Sequence, residues 1–162
     1  MATEAGYIAP YQLASIEQLI LQLNGSPRSL TSSEANVVHV YAQGATEEIA
    51  ASWPVDTGNS RDQWMFFVGN SPGSISFTIQ NLVDYVPFVH YPGDPTELVD
   101  TLVPDIIDRW IDRMLPALRA EVEQTQRDIA ANLAQGGKGY LDVRRRKPLR
   151  SLSDLIDAVL GG

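Results

Sequence analysis

Cysteine is absent from this chain of 162 residues. That removes disulfide frameworks, thiol nucleophiles and Cys-based zinc or iron–sulfur sites. Histidine is scarce: His39 and His90 are the only two, too few for a histidine-rich metal centre. No run of about 18 apolar residues occurs, so no segment is expected to span a membrane. The opening "MATEAGYIAPYQ" lacks the basic start and apolar core of a secretory signal. Neither the P-loop nor the dinucleotide-fold glycine pattern is present. These absences lead to the expectation of a soluble protein of a reducing cytoplasm, working without a cofactor or a metal.

Apolar residues make up 44% of the chain, enough for one real core at this length. The net charge of −8 is unevenly spread. Residues 136–150, "GGKGYLDVRRRKPLR", hold six of the twelve basic residues against Asp142 alone, so this segment is +5 and the remainder −13. An acidic body repels phosphate backbones and releases no counterions on meeting them, which argues against general nucleic-acid binding. The composition shift at Gly136-Gly137 divides the chain into an expected body, residues 1–135, and a basic arm, residues 136–162.

Periodicity gives an α+β order. "YQLASIEQLILQLNG" places Leu13, Ile16, Leu19, Ile20 and Leu23 on one helical face, with Pro10 near its start and Gly25 beyond its end. Thr31 and Glu34 form a capping box ahead of a second helix, whose buried side takes Val37, Val38, Tyr41, Ala45, Ile49 and Trp53. Gly44 weakens that helix and Pro54 ends it. "QWMFFV" and "SISFTIQN" then read as a hairpin across "GNSPG", with Ile75, Phe77 and Ile79 inward and Ser74, Ser76, Thr78 and Gln80 on a wet face. "DYVPFVHYPG" is extended or irregular. A long helical stretch buries Ile106, Ile107, Trp110, Met114, Leu118, Val122 and Ile129. Pro104 falls in its first turn, Pro116 kinks or divides it, and Gly136-Gly137 stops it. "SLSDLIDAVLGG" reads as a short amphipathic helix. The fold expected is a short antiparallel sheet flanked by helices.

Few constellations promise chemistry. "DTGNS" contains the Asp-Thr-Gly of aspartic proteases, but that reaction needs two such carboxylates sharing a proton, and the flanking apolar strands are missing. Ser60 and Ser71 have no His–carboxylate partner in sequence context and read as turn residues. His39 reads as a partly buried core residue and His90 as sheet-edge packing. Asp105, Asp108 and Asp112, interleaved with Arg109 and Arg113, read as a salt-bridged wet face. A pairing of Asp56 with Asp84 is the remaining enzymatic reading, and a small cytoplasmic adaptor that binds a partner helix or a peptide at its sheet edge is another class.

One pattern is more informative. A helix runs into Pro54, Asp56, Thr57, Gly58, Asn59 and Arg61; a hairpin follows, then "DYVPFVHYPG", then "RMLPALRAEV" around Pro116 and Leu118. Over roughly residues 35 to 125 this order resembles the tail-completion and head–tail joining proteins of long-tailed phages. In that family a "P-x-x-TG-x-L-R" loop precedes a short sheet, and "YA-x-x-x-E-x-G" follows it. Here Ser60 stands for the usual leucine, Val86 for alanine and His90 for glutamate, and Pro92 is extra. Tyr85, His90 and Gly93 match the second motif.

The resemblance implies a virion protein: a cyclic homo-oligomer, six-fold as in similar tail terminators, at the neck between head connector and tail tube. DNA would pass through the bore without sequence-specific contact, and an acidic lumen would let it slide. The Pro54–Arg61 loop is expected to be architectural, its polar residues fixing a helix-to-strand corner and Arg61 clamping a carbonyl or carboxylate across the sheet. Gly58 is expected to be left-handed. Tyr85, Phe88, His90 and Tyr91 are candidate interface residues. So are Arg144, Arg145, Arg146, Lys147, Leu155 and Ile156 of the arm, expected to dock on a neighbouring subunit, with Leu152 and Val159 on the same apolar side.

Overall fold

The computed structural model describes residues 6–54 and 60–144. Its order is β1 (Tyr7–Gln12), α1 (Ala14–Asn24), α2 (Ser32–Ser52), β2 (Met65–Ser71), β3 (Ser74–Asn81), a 3-10 turn at Val86–Phe88, α3 (Leu102–Ala134) and α4 (Tyr140–Val143). The fold is α+β, with one antiparallel sheet in the order β1-β3-β2.

β1 differs from expectation, since residues 7–12 form a strand where a helix was expected to begin. Its period is two: Tyr7, Ala9 and Tyr11 are half-buried while Ile8, Pro10 and Gln12 are exposed. Pro10 is tolerated because β1 lies at the sheet edge, where a missing N–H need not break the ladder. The helix proper starts after Leu13, whose N–H donates to the Ile75 carbonyl at 2.8 Å. Ile16, Leu19 and Ile20 are buried as their spacing requires, but Leu23 is 46% exposed and belongs to the surface.

The hairpin follows its pattern. Ile75, Phe77 and Ile79 are buried and β3 is the central strand. The turn is only Pro72-Gly73, with Gly73 at φ +76°, as the position after a turn proline favours. The two sides of Asn70 bind the Leu30 N–H at 2.7 Å and its carbonyl at 3.1 Å, tying the hairpin to the α1–α2 link.

α1 and α2 pack against the sheet, and α3 packs against α1 and α2. The capping box of α2 is formed: Thr31 Oγ1 accepts from the Glu34 N–H, and Glu34 Oε1 accepts from the Thr31 N–H at 2.8 Å. Pro116 does not divide α3, which runs unbroken from Leu102 to Ala134. It sits on the exposed side, where the Asp112 carbonyl that it deprives of a helical partner can face water.

Gly44 has a packing role. A Cβ there would fall 2.4 Å from the Trp110 ring. That ring is held by Trp110 Nε1 donating to Glu48 at 3.2 Å, by Arg113 over its face and by Tyr41 at its edge. Gly44→Ala would gain about 1 kcal/mol of helix propensity and lose about 1–3 kcal/mol to overpacking. The expected result in urea denaturation is a net loss of up to about 2 kcal/mol; a stabilised variant would show that Trp110 swings aside freely.

Beyond Gly136 the chain turns back onto the body. The guanidinium of Arg28 lies 5.5 Å from the centre of the Tyr140 ring. The Arg144 carbonyl accepts from the Ser32 N–H at 3.1 Å and from Ser32 Oγ at 2.7 Å. The first part of the expected arm, residues 136–144, is thus packed against the start of α2. Beneath it Arg28 and Glu34, both buried, form a two-bond ion pair at 2.7 and 2.9 Å, and Arg28 Nε donates to Gln126 of α3 at 2.9 Å.

Candidate assembly surfaces

The corner after α2 is built on two residues whose roles sequence reasoning missed. Ser60 is fully buried; its hydroxyl accepts from Trp53 Nε1 at 2.9 Å and its carbonyl from Asn81 Nδ2 at 2.6 Å. Asn81, at the end of β3, uses its other side-chain atom to accept from the Val83 N–H at 3.1 Å. Trp53 meets Trp64 edge-on at 5.0 Å, and Trp64 meets Tyr7 at 6.1 Å. Arg61 Nε donates to the Ala50 carbonyl at 3.0 Å, so Arg61 clamps the last turn of α2 and not a group across the sheet. Pro54 follows the α2 C-cap Trp53. Asp56, Thr57, Gly58 and Asn59, with the expected left-handed Gly58, lie outside the described residues.

This corner delivers the chain to the aromatic loop. Val86 and Val89 are buried and anchor it, the Tyr91 hydroxyl donates to the Ser52 carbonyl at 2.8 Å, and the Leu98 N–H donates to the Val89 carbonyl at 2.9 Å. With Val86 and Val89, three residues apart, held inward, the loop presents Tyr85, Phe88 and Tyr91 to solvent, Phe88 being 68% exposed. His90 is exposed on this loop, with Nδ1 3.0 Å from the Tyr91 carbonyl, and so does not pack at a sheet edge. His39 is also corrected: it is exposed on α2, its ring edge-on to Phe66 at 4.8 Å, and is not a core residue.

The outer face of the sheet is a third feature. Register places Ile8, Gln80 and Met65 in one row, Pro10, Thr78 and Phe67 in the next, and Gln12, Ser76 and Gly69 in a third. The face is wet along β3, as its alternation requires, but apolar along both flanking strands, where Ile8, Met65 and Phe67 are exposed. Leu82 continues the outward alternation beyond Asn81 and is exposed as well. None of these side chains is ionisable.

At the third row Gln12 Nε2 donates to the Glu17 carboxylate, and other charged groups lie off this face. Arg109 bridges Glu48 at 2.6 Å and Asp105 at 3.4 Å on an exposed face of α2 and α3. The Thr96 N–H holds the exposed Asp94 carboxyl below its usual value. Burial pushes the hydroxyls of Tyr7 and Tyr11 up, keeping both neutral on the inner side of β1. Among the described residues no group of three or more His, Asp or Glu stands where it could hold a metal ion, and no described helix is long and apolar enough to cross a membrane. Asp84 is exposed, and its suggested partner Asp56 lies outside the described residues. Arg144 is placed at the start of α2; Arg145, Arg146, Lys147, Leu155 and Ile156 lie outside the described residues, as do Leu152 and Val159.

Comparison of the chain with protein-family models, with curated proteins and with solved structures finds no match.

Proposed function

We propose that this chain is a structural subunit of a phage neck, forming a ring that completes the tail or joins it to the head connector around the DNA channel. The observation that carries the reading is the order of elements along the resemblance. α2 ends at Trp53-Pro54, Arg61 clamps that end, the β2–β3 hairpin follows, the aromatic loop follows that, and α3 carries Pro116 and Leu118. In this reading the corner is architecture, and function resides in surfaces that meet other subunits. The acidic exterior suits a bore through which DNA slides without sticking.

A deletion strain tests the proposal directly. The expected outcome by electron microscopy is filled or leaking heads beside unjoined tails, with complementation restoring joined particles. Normal infectious particles from the deletion strain would overturn it.

Among the described residues the order β1-β3-β2 leaves both outer strands with an unpaired edge, which favours a second reading as an adaptor that adds a partner's strand to its sheet. A chain that stays monomeric and binds an extended peptide saturably would favour the adaptor over the ring.

A further inference from the structure

We infer that residues 136–144 are a strap that lifts from the body as one unit while the body stays folded, so that the basic residues following it have a docked and a released root. The inference goes beyond the neck reading and does not depend on it.

The strap is anchored at its two ends and buries little between them. At the near end the chain doubles back tightly around Asn132. Gly136 and Gly139 have φ of +82° and +64°, a Cβ on Gly137 would strike the Asn132 side chain, and one on Gly139 would meet Leu133 at 3.1 Å. The Asn132 carbonyl accepts from the Gly137 N–H at 2.8 Å, and Asn132 Oδ1 accepts from the Gly139 N–H. At the far end the Arg144 carbonyl accepts from both the N–H and the hydroxyl of Ser32. Between these anchors lies α4, none of whose four residues is buried; Leu141 is 50% exposed. A segment held by polar contacts, with few buried apolar ones, opens far more often than the core unfolds.

The body does not need the strap to stay folded. Arg28 meets it through the face of the Tyr140 ring. The hydrogen bonds of the guanidinium go instead to Glu34, Gln126 and the Ser29 carbonyl, and all of these persist when the strap lifts. Ser32 stands in the first turn of α2, where water can replace a lost carbonyl. Lifting adds the nine residues 136–144 to the tether of the basic residues that follow, up to about 30 Å of reach at full extension. A ligand that holds the released root more tightly than the docked one opens the strap by that difference in affinity alone.

Hydrogen exchange of the full chain, followed amide by amide by NMR, tests this. As the first residue of α2, Ser32 has no acceptor for its N–H within the helix, so its protection reads the bond to Arg144. Gly139 reads the bond to Asn132 in the same way. Both amides should exchange about a hundredfold or more faster than Val122 in the middle of α3, to a common degree and with little dependence on low urea. Tyr140→Ala removes the ring contact and should speed both about tenfold while leaving Val122 unchanged. Gly139→Ala, strained at its positive φ, should likewise speed Ser32. Leu141→Ala, at an exposed position, should move none of them. Ser32 protected as strongly as Val122 would show that the strap unfolds only with the body, and would overturn the inference. So would an unprotected Ser32, which means that no docked state forms. A Tyr140→Ala variant that speeds Gly139 and spares Ser32 would overturn it equally, because the two ends would then open independently.

Discussion

Glu34→Ala is expected to lower stability by about 3–5 kcal/mol, as much as truncating a large buried core side chain. Glu34 is fully buried and Arg28 is 4% exposed. The carboxylate accepts both guanidinium bonds and the Thr31 N–H, so every charge in the pair is matched by geometry. Removing the carboxylate strands the guanidinium with only Gln126 and the Ser29 carbonyl as acceptors, and a buried charge without its counter-charge is the costly case. Loss of the capping box contributes about 1 kcal/mol of this. Thr31→Ala isolates that share and should cost only about 1 kcal/mol. Replacing both members with apolar residues of similar size, Arg28→Met with Glu34→Leu, should recover most of the loss, because the intact pair's attraction is offset by its desolvation. Urea denaturation of the three variants and the parent measures all of this. A Glu34→Ala variant within 1 kcal/mol of the parent, on the scale of a lost cap alone, would mean that the pair is solvated in solution.

Ser60→Leu is expected to cost about 2–5 kcal/mol, from a stranded indole N–H and from overpacking together. The substitution installs the residue usual at this place in the phage family the chain resembles, so a neutral result would be the simplest guess from the motif. The structure argues otherwise. Trp53 Nε1 donates to Ser60 Oγ at 2.9 Å inside a pocket walled by Trp64, and leucine would both remove that acceptor and demand volume already filled. Ser60→Ala separates the two causes, losing the bond while adding no bulk, at about 1–3 kcal/mol. Thermal denaturation of both variants decides the matter: equal stability of Ser60→Leu and parent would show that the corner repacks around a different indole position.

Much of this fold was legible because its signals are local. The capping box needs only Thr31 and Glu34, and β3 needs only its own alternation of Ile75, Phe77 and Ile79. β1 was hidden because six residues carry little periodicity and Pro10 suggested a helix start. What makes β1 a strand is Ile79 and its neighbours, some 70 residues away in sequence. Arg28 gave no sign of burial either: Glu34 is near in sequence, but Gln126 and Tyr140, which flank the guanidinium, come from distant helices. Which apolar side chains face solvent was legible in part. Exposure of Tyr85, Phe88 and Tyr91 agrees with the apolar loop reading, whereas the outer sheet face emerged only when register set Ile8 and Phe67 beside β3.

The strap that returns to α2 also orders events in time. Arg28 and Gln126 are 98 residues apart, and Ser32 and the Arg144 carbonyl are 112 apart. Closing loops of that size adds little to the equilibrium cost, about 0.6 kcal/mol per doubling, but contacts so distant in sequence slow the approach to the native state. During synthesis, the first turn of α2 leaves the ribosome with its cap formed and its ion-pair site uncovered, and it stays so until α3 and then residue 144 have been made. The beginning of one helix is therefore finished by a residue 112 positions further along the chain, and amide exchange at Ser32 reports when that happens.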